Sequence, residues 1–207
     1  MVTRTEYLQL ISKHKFILES LEHIVRGTNS TFEGNCFYRH TTFEPMEELI
    51  NKQINIVNVA QHANNIVEIG FNAGHSCLLM LLSNPNCNIV AVDICQHPYT
   101  KKCFQYLNLM FPGRLSLIEG ISYTVMCQEF NSEPFDLIHI DGAHDIRTAN
   151  LDFYTSTKKG KNGTVVIFGD TQIPHLQMLW DGYIRDGLIV EKTDILPATH
   201  AIGVLRV

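Results

Sequence analysis

Apolar positions in the first part of the chain recur at helical spacing. Leu10, Ile11, Ile17, Leu18, Leu21, Ile24 and Val25 predict one helix from about Glu6 to Val25, and Gly27 ends it. Residues 28–42 are polar and carry Gly and Asn, so they read as loop. A second helix is expected to start near Pro45, where proline suits a first turn, and to run to about His62. From Ile66 onward the pattern changes. Apolar runs at 66–69, 89–92, 115–118, 135–140 and 164–168 alternate with helical stretches near 76–82, 99–110, 123–130 and 146–158. Near-continuous apolar strands separated by helices predict a parallel sheet covered on both faces. Right-handed crossovers then give a doubly wound α/β sheet with its site at the carboxyl ends of the strands. The C-terminal part departs from this alternation. A helix-like stretch at 176–185 leads to strand candidates at 188–192 and 201–206, which leave no room for a helix between them and should pair antiparallel.

Composition narrows the class. A chain of 207 residues fits one domain with a substantial core. The net charge of −5 argues against a nucleic-acid surface, which needs clustered Lys and Arg. Lys158, Lys159 and Lys161 form the one dense basic group and read as a solvated loop. Six scattered cysteines without a C-x-x-C pair, several inside apolar runs, behave as small buried hydrophobes. No apolar leader opens the chain and no run is long enough for a bilayer, so a reducing, cytoplasmic setting without membrane contact is expected.

Candidate chemistry gathers at the predicted strand tips. Gly70 and Gly74 frame Phe71-Asn72-Ala73 in a strand–turn–helix segment that resembles a cofactor-binding turn. The middle glycine of G-x-G-x-x-G is replaced by Asn72, which suits a cofactor without a pyrophosphate, with Glu68 available to contact an ammonium. Asp93 ends the next strand, where its carboxylate could accept ribose hydroxyls, and Ile94 beside it could wall a purine. Residues 119–122 form a small turn that could read an adenine edge, with Ser122 capping the next helix. Asp141 ends the fourth strand, and His144 follows three residues later, poised by its ordinary titration range to take a proton from a hydroxyl. His139 reads as a satisfied core histidine. Asp170 brings another carboxylate to the tips and could share a hard cation with Asp141.

Together these segments resemble the class I S-adenosylmethionine-dependent methyltransferases over about residues 45–207, most strongly at 67–74, 90–93, 135–144 and 163–170. The resemblance implies a Rossmann-like methyltransferase fold with seven strands, mostly parallel, the last one reversed, here with an N-terminal helical extension. Within the class, the Asp-Gly-x-His segment is similar to macrocin-type sugar O-methyltransferases and, more distantly, to catechol and caffeoyl-CoA O-methyltransferases. That likeness implies methyl transfer to a small-molecule or sugar hydroxyl, with His144 and Asp141 catalytic. On the cofactor side it implies Glu68, Gly70, Asn72, Gly74, Ser76, Asp93, Ile94, Ile121 and Asp141 around S-adenosylmethionine. It also implies a divalent cation, commonly magnesium, at Asp141 and Asp170. The chain departs from the pattern at Gly169, where the sugar enzymes carry a second carboxylate, and at Thr171, where the catechol type has asparagine. Residues 1–44, with Tyr38 and Phe43, are expected to cap the acceptor or form a homodimer contact, leaving 45–207 as the cofactor-binding domain. Two other readings stay open: a methyltransferase-like binding subunit without catalysis, and a nicotinamide-dependent oxidoreductase.

Overall fold

The computed structural model describes residues 1–30, 32, 34–38, 43–128 and 133–206. Among them, seven strands form one sheet: β1 (Asn65–Ile69), β2 (Asn88–Asp93), β3 (Leu115–Glu119), β4 (Phe135–Ile140), β5 (Gly160–Gly169), β6 (Ile189–Glu191) and β7 (His200–Leu205). Their order is β3-β2-β1-β4-β5-β7-β6, so the sheet reverses direction of growth between β1 and β4. The pairs from β3 to β5 are parallel, whereas β7 lies antiparallel between β5 and β6. The seven-stranded sheet with a reversed last strand is therefore the one expected from the sequence. A crevice at the β1/β4 reversal, over the carboxyl ends, is where such sheets bind ligands.

Alternation along each strand divides the core in two. Ile66, Ile89, Ala91, Leu137, Ile167 and Ile202 face one layer, while Val67, Ile69, Val92, Ile138, Ile140, Val166 and Phe168 face the other. The first layer contains α2 (Lys15–Arg26), α3 (Ile50–Ala60), α4 (His75–Ser83) and α5 (Thr100–Met110). The second contains α7 (Ile146–Thr157) and α8 (Pro174–Arg185), with the short α6 (Ser122–Met126) at its edge. Side chains such as Ile66, Leu137 and Ile167 are fully enclosed, and each contributes about 1.5–3 kcal/mol of transfer free energy.

Several local expectations need correction. The first helix is two helices, α1 (Arg4–Lys13) and α2, because His14 leaves helical geometry at φ −111° and ψ 16°. A Thr3–Glu6 capping box starts α1. The helix expected from Pro45 is a 3₁₀ turn, Glu47–Leu49, that runs into α3. The stretch expected at 123–130 is α6, and residues 129 and 130 lie outside the described residues. The basic group is only partly loop: β5 starts at Gly160, so Lys161 sits in a strand and pairs with Asp136 at 3.1 Å. Tyr7, Ile17, Leu21, Val25, Phe32 and Phe37 join the same apolar cluster as α3 to α5, so the N-terminal residues pack as part of the first layer. All six cysteines are free. Among the described residues, no helix is long and apolar enough to cross a membrane.

Candidate functional site

Backbone hydrogen bonds draw three strand tips together. Gly70 N–H donates to the Val92 carbonyl and Asp141 N–H to the Ile69 carbonyl, both at 2.9 Å, which ties the end of β1 to β2 on one side and β4 on the other. Gly70 has φ +94°, and a Cβ there would meet the Asp141 carbonyl oxygen at 2.4 Å. Only glycine lets the two tips close this far. Asn72 follows in the left-handed region at φ 52°, and its backbone N–H donates to Asp93 Oδ2 at 2.8 Å. Cys95 N–H donates to Asp93 Oδ1 at 2.6 Å. The Asp93 carboxylate thus organises two turns while keeping lone pairs for further donors, since it offers about four acceptor positions. The Asn72 side chain donates to the Gly34 carbonyl at 2.7 Å, fastening the N-terminal loop to this turn.

These turns border an open cleft of about 400 Å³. Gly70, Asn72, Asp93, Ile94, Ile121 and Asp141 line it, six of the nine residues assigned to the cofactor from sequence, and Ser122 of the 119–122 turn lines it as well. Ile94 and Ile121 are each 52% exposed and present apolar surface to the cleft from the tips of β2 and β3. Gln96, His97, Tyr123 and Thr148 also line it and were not expected.

Glu68, Gly74 and Ser76 are elsewhere. Glu68 is fully buried in the first layer, where its carboxylate accepts from Ser76 Oγ and Cys77 Sγ and contacts His139 Nδ1 at 2.9 Å. Its place follows from register, because Glu68 and His139 are directly paired across β1 and β4. Ser76 is therefore a partner of Glu68 and does not border the cleft. Gly74 starts α4 at φ +79°, and a Cβ there would strike the Phe71 ring and Leu107, so close packing requires this glycine. Ser122 also differs from expectation. It is the first residue of α6 and makes no cap; its hydroxyl donates to Asp152 instead.

The second part of the site lies beyond Asp141. Along β4, Leu137, His139 and Asp141 share one face, and Asp141 meets Lys52 of α3, with Nζ 3.1 Å from Oδ2. Lys52 is only 5% exposed. Burial alone would drive its ammonium toward the neutral form, but the negative charges of Asp141 and Asp170 more than offset this and hold its pKa above the ordinary lysine value. Asp170, in the left-handed region at φ 54°, pairs through Oδ2 with His144 Nε2 at 2.8 Å. That hydrogen bond raises the His144 pKa above its ordinary value. For Asp170, burial acts upward, but His144, Lys52 and Gln172 together pull its carboxyl below the usual range. His144 and Asp141 are thus brought into one centre.

The expected magnesium site is a different matter. A Cβ at position 169 would lie 2.0 Å from Asp141 Oδ1, so the Asp141 carboxylate leans into the space a second acidic side chain would need. The other Asp141 oxygen is held by Lys52, and Asp170 by His144. Among the described residues, no three His, Cys, Asp or Glu side chains converge as a metal site does. A hard divalent cation asks for carboxylate oxygens free to turn toward it, with water completing its shell. The side chains present do not fit that demand.

Comparison with known proteins agrees with the fold. A family model described as a methyltransferase domain matches residues 67–171, just over half of the chain. The chain belongs to that methyltransferase family. The match begins in β1 and ends just after β5, so it contains the Gly70 turn, Asp93, Asp141, His144 and Asp170. No curated protein matches the methyltransferase at a significant level. Among solved structures, an O-methyltransferase from Bacillus cereus in complex with SAH is similar at a TM-score of 0.68 and 16% identity, with 92% of this chain and 90% of that one covered. TomG from Streptomyces achromogenes, an O-methyltransferase of tomaymycin synthesis in complex with SAM, is similar at 0.68 and 12%, with the same coverage of 92% and 90%. SAH-bound methyltransferase PaMTH1 from Podospora anserina is similar at 0.59 and 17%, with 78% and 79% covered. At these identities the likeness speaks to the fold.

Proposed function

We propose that this methyltransferase moves the methyl group of S-adenosylmethionine to a hydroxyl oxygen of a small molecule, a sugar or related acceptor. The observation that carries the reading is the cleft in which the Gly70–Asn72 turn, the Asp93 carboxylate and the paired apolar surfaces of Ile94 and Ile121 converge. A nucleoside fits that arrangement: an acid with spare lone pairs for ribose hydroxyls, and two exposed isoleucines for a purine. SAM- and SAH-bound structures of the same fold support the choice of cofactor.

S-adenosylmethionine supplies an already activated methyl group on its sulfonium, so alignment of the acceptor is most of what the protein must add. The carbon–sulfur bond breaks with its electron pair left on sulfur, and a carbon–oxygen bond forms. The hydroxyl proton has a destination in His144, whose Nε2 is engaged by Asp170, leaving the other ring nitrogen to accept it. Asp170 fixes the ring and stabilises the charge it acquires. Aromatic residues of the N-terminal loop, Phe32, Phe37 and Tyr38, are buried against His75 at the start of α4, and with Phe43 stacked on Phe32 they hold this loop to the first layer.

Titration calorimetry with S-adenosylmethionine, S-adenosylhomocysteine and NAD tests the cofactor. Saturable binding of the first two and none of NAD is expected. Binding of NAD alone would turn the reading to an oxidoreductase, and binding of none would leave a methyltransferase-fold protein without the cofactor. Release of S-adenosylhomocysteine, followed across a panel of sugar and phenolic hydroxyls, then tests the acceptor class.

A further inference from the structure

Lys52 is the residue on which the second part of the site turns. It sits in the first turn of α3, next to Gln53 and close to Asn55, and all three polar side chains are buried. Each neighbour is tied down. Gln53 accepts from the Tyr7 hydroxyl and donates to the Cys36 carbonyl. Asn55 donates to the Leu196 carbonyl at 2.8 Å and accepts from Leu196 N–H at 3.0 Å. With α3 fastened on both flanks, the Lys52 stem has a fixed origin and its ammonium a fixed destination at Asp141. Among the described residues, Asp141 Oδ2 is the hydrogen-bond partner of that ammonium. An ammonium has three N–H donors, so two remain for another ligand.

The surroundings complete the picture. Two carboxylates, Asp141 and Asp170, stand at adjacent strand tips. Position 169 carries glycine, and Asp141 Oδ1 occupies the room that a side chain there would take. One positive group therefore stands at this spot, where the Asp141 carboxylate leaves no room for a second acidic side chain. A divalent ion approaching Asp141 would meet a buried like charge 3.1 Å from the oxygen it needs.

We propose that the Lys52 ammonium is the resident cation of this centre, standing where the catechol-type resemblance would put a metal and closing the site to divalent ions. Resting on the methyl-transfer reading above, its two remaining donors hold the acceptor oxygen and the negative charge that develops there as the proton leaves for His144.

The test uses manganese as the probe, with free Mn²⁺ followed by electron paramagnetic resonance in the wild-type chain and in Lys52→Met and Lys52→Arg variants. Wild type and Lys52→Arg are expected to leave Mn²⁺ free up to millimolar concentration. Lys52→Met removes the charge at similar length and should gain a site at least tenfold tighter, which Asp141→Asn in the same background abolishes. Tight Mn²⁺ binding by the wild type that Asp141→Asn removes would overturn the proposal. So would a folded Lys52→Met chain with no gain. If Lys52→Met does not fold, the wild-type and Lys52→Arg measurements still decide it, because either binding Mn²⁺ at Asp141 is enough to refute. Calorimetry with S-adenosylhomocysteine on the same samples separates the two readings: its failure to bind would sink methyl transfer and leave the manganese result standing.

Discussion

Acidification should remove more stability from the wild-type chain than from a His75→Phe variant. His75 is 3% exposed and lies against the rings of Phe32, Phe37 and Tyr38. Burial pushes its pKa down to about 3, whereas an unfolded histidine titrates near about 6.5. A group whose folded pKa is depressed contributes stability that is complete above the unfolded value and is lost as the pH falls toward the folded one. The loss is about 1.4 kcal/mol per pH unit inside that window, so descending from about pH 7.5 to about pH 5 costs about 2 kcal/mol through His75 alone. His200, also buried with its pKa pushed down to about 3, acts in the same direction but is common to both chains. Phenylalanine suits the aromatic surroundings and cannot titrate. Urea unfolding at the two pH values, extrapolated linearly to water, gives the four free energies needed. Wild type should lose about 2 kcal/mol more than the variant over this interval. Equal losses would show that His75 does not stay neutral inside its aromatic nest.

Asp93→Ala should weaken S-adenosylhomocysteine binding about 100-fold, the worth of two hydrogen bonds to a charged acceptor at about 1.5 kcal/mol each; unchanged calorimetric affinity would take Asp93 out of the site. Gly70→Ala should cost at least about 2 kcal/mol, from a side chain forced into positive φ and against the Asp141 backbone, and thermal melting would reveal a harmless substitution at once. Asp152 is buried with Oδ2 unpartnered among the described residues, and burial pushes its pKa up to about 6. Its stabilising, protonated form is lost as the pH rises through that value. Asp152→Asn should therefore raise the melting temperature more at pH 8 than at pH 5, and an equal shift at both would contradict the assignment.

The sheet was legible because strands enclosed on both faces must be largely apolar, as β1, β2 and β4 are apart from paired polar residues such as Glu68 and His139. Asp93 and the Gly70 turn were legible for a related reason: an acid or a glycine that ends such a run has few structural roles open to it. Glu68 was misleading. Read alone it stands at a cofactor turn, but a carboxylate in the middle of a buried strand needs an internal partner, and register gives it His139. The break at His14 carries no Gly or Pro to announce it. Lys52 was invisible because Asn51-Lys52-Gln53 reads as a solvated stripe at a helix start. Its burial comes from where α3 docks, not from any local pattern. One signal was available: polar residues at 51–53 and 55 interrupt the otherwise apolar run from Ile50 to Val57.

The antiparallel insertion of β7 has a consequence for how the molecule is made. Residues 200–205 separate β5 from β6, so during synthesis from the amino end the two flanks of that gap wait for the stretch that joins them. Until it emerges from the ribosome, Val166, Ile167 and Phe168 present a sticky, half-finished border, the kind of edge that recruits foreign strands. Chaperone dependence and losses to inclusion bodies in heterologous expression should concentrate in this interval, and polypeptides ending before residue 200 should be the ones that precipitate.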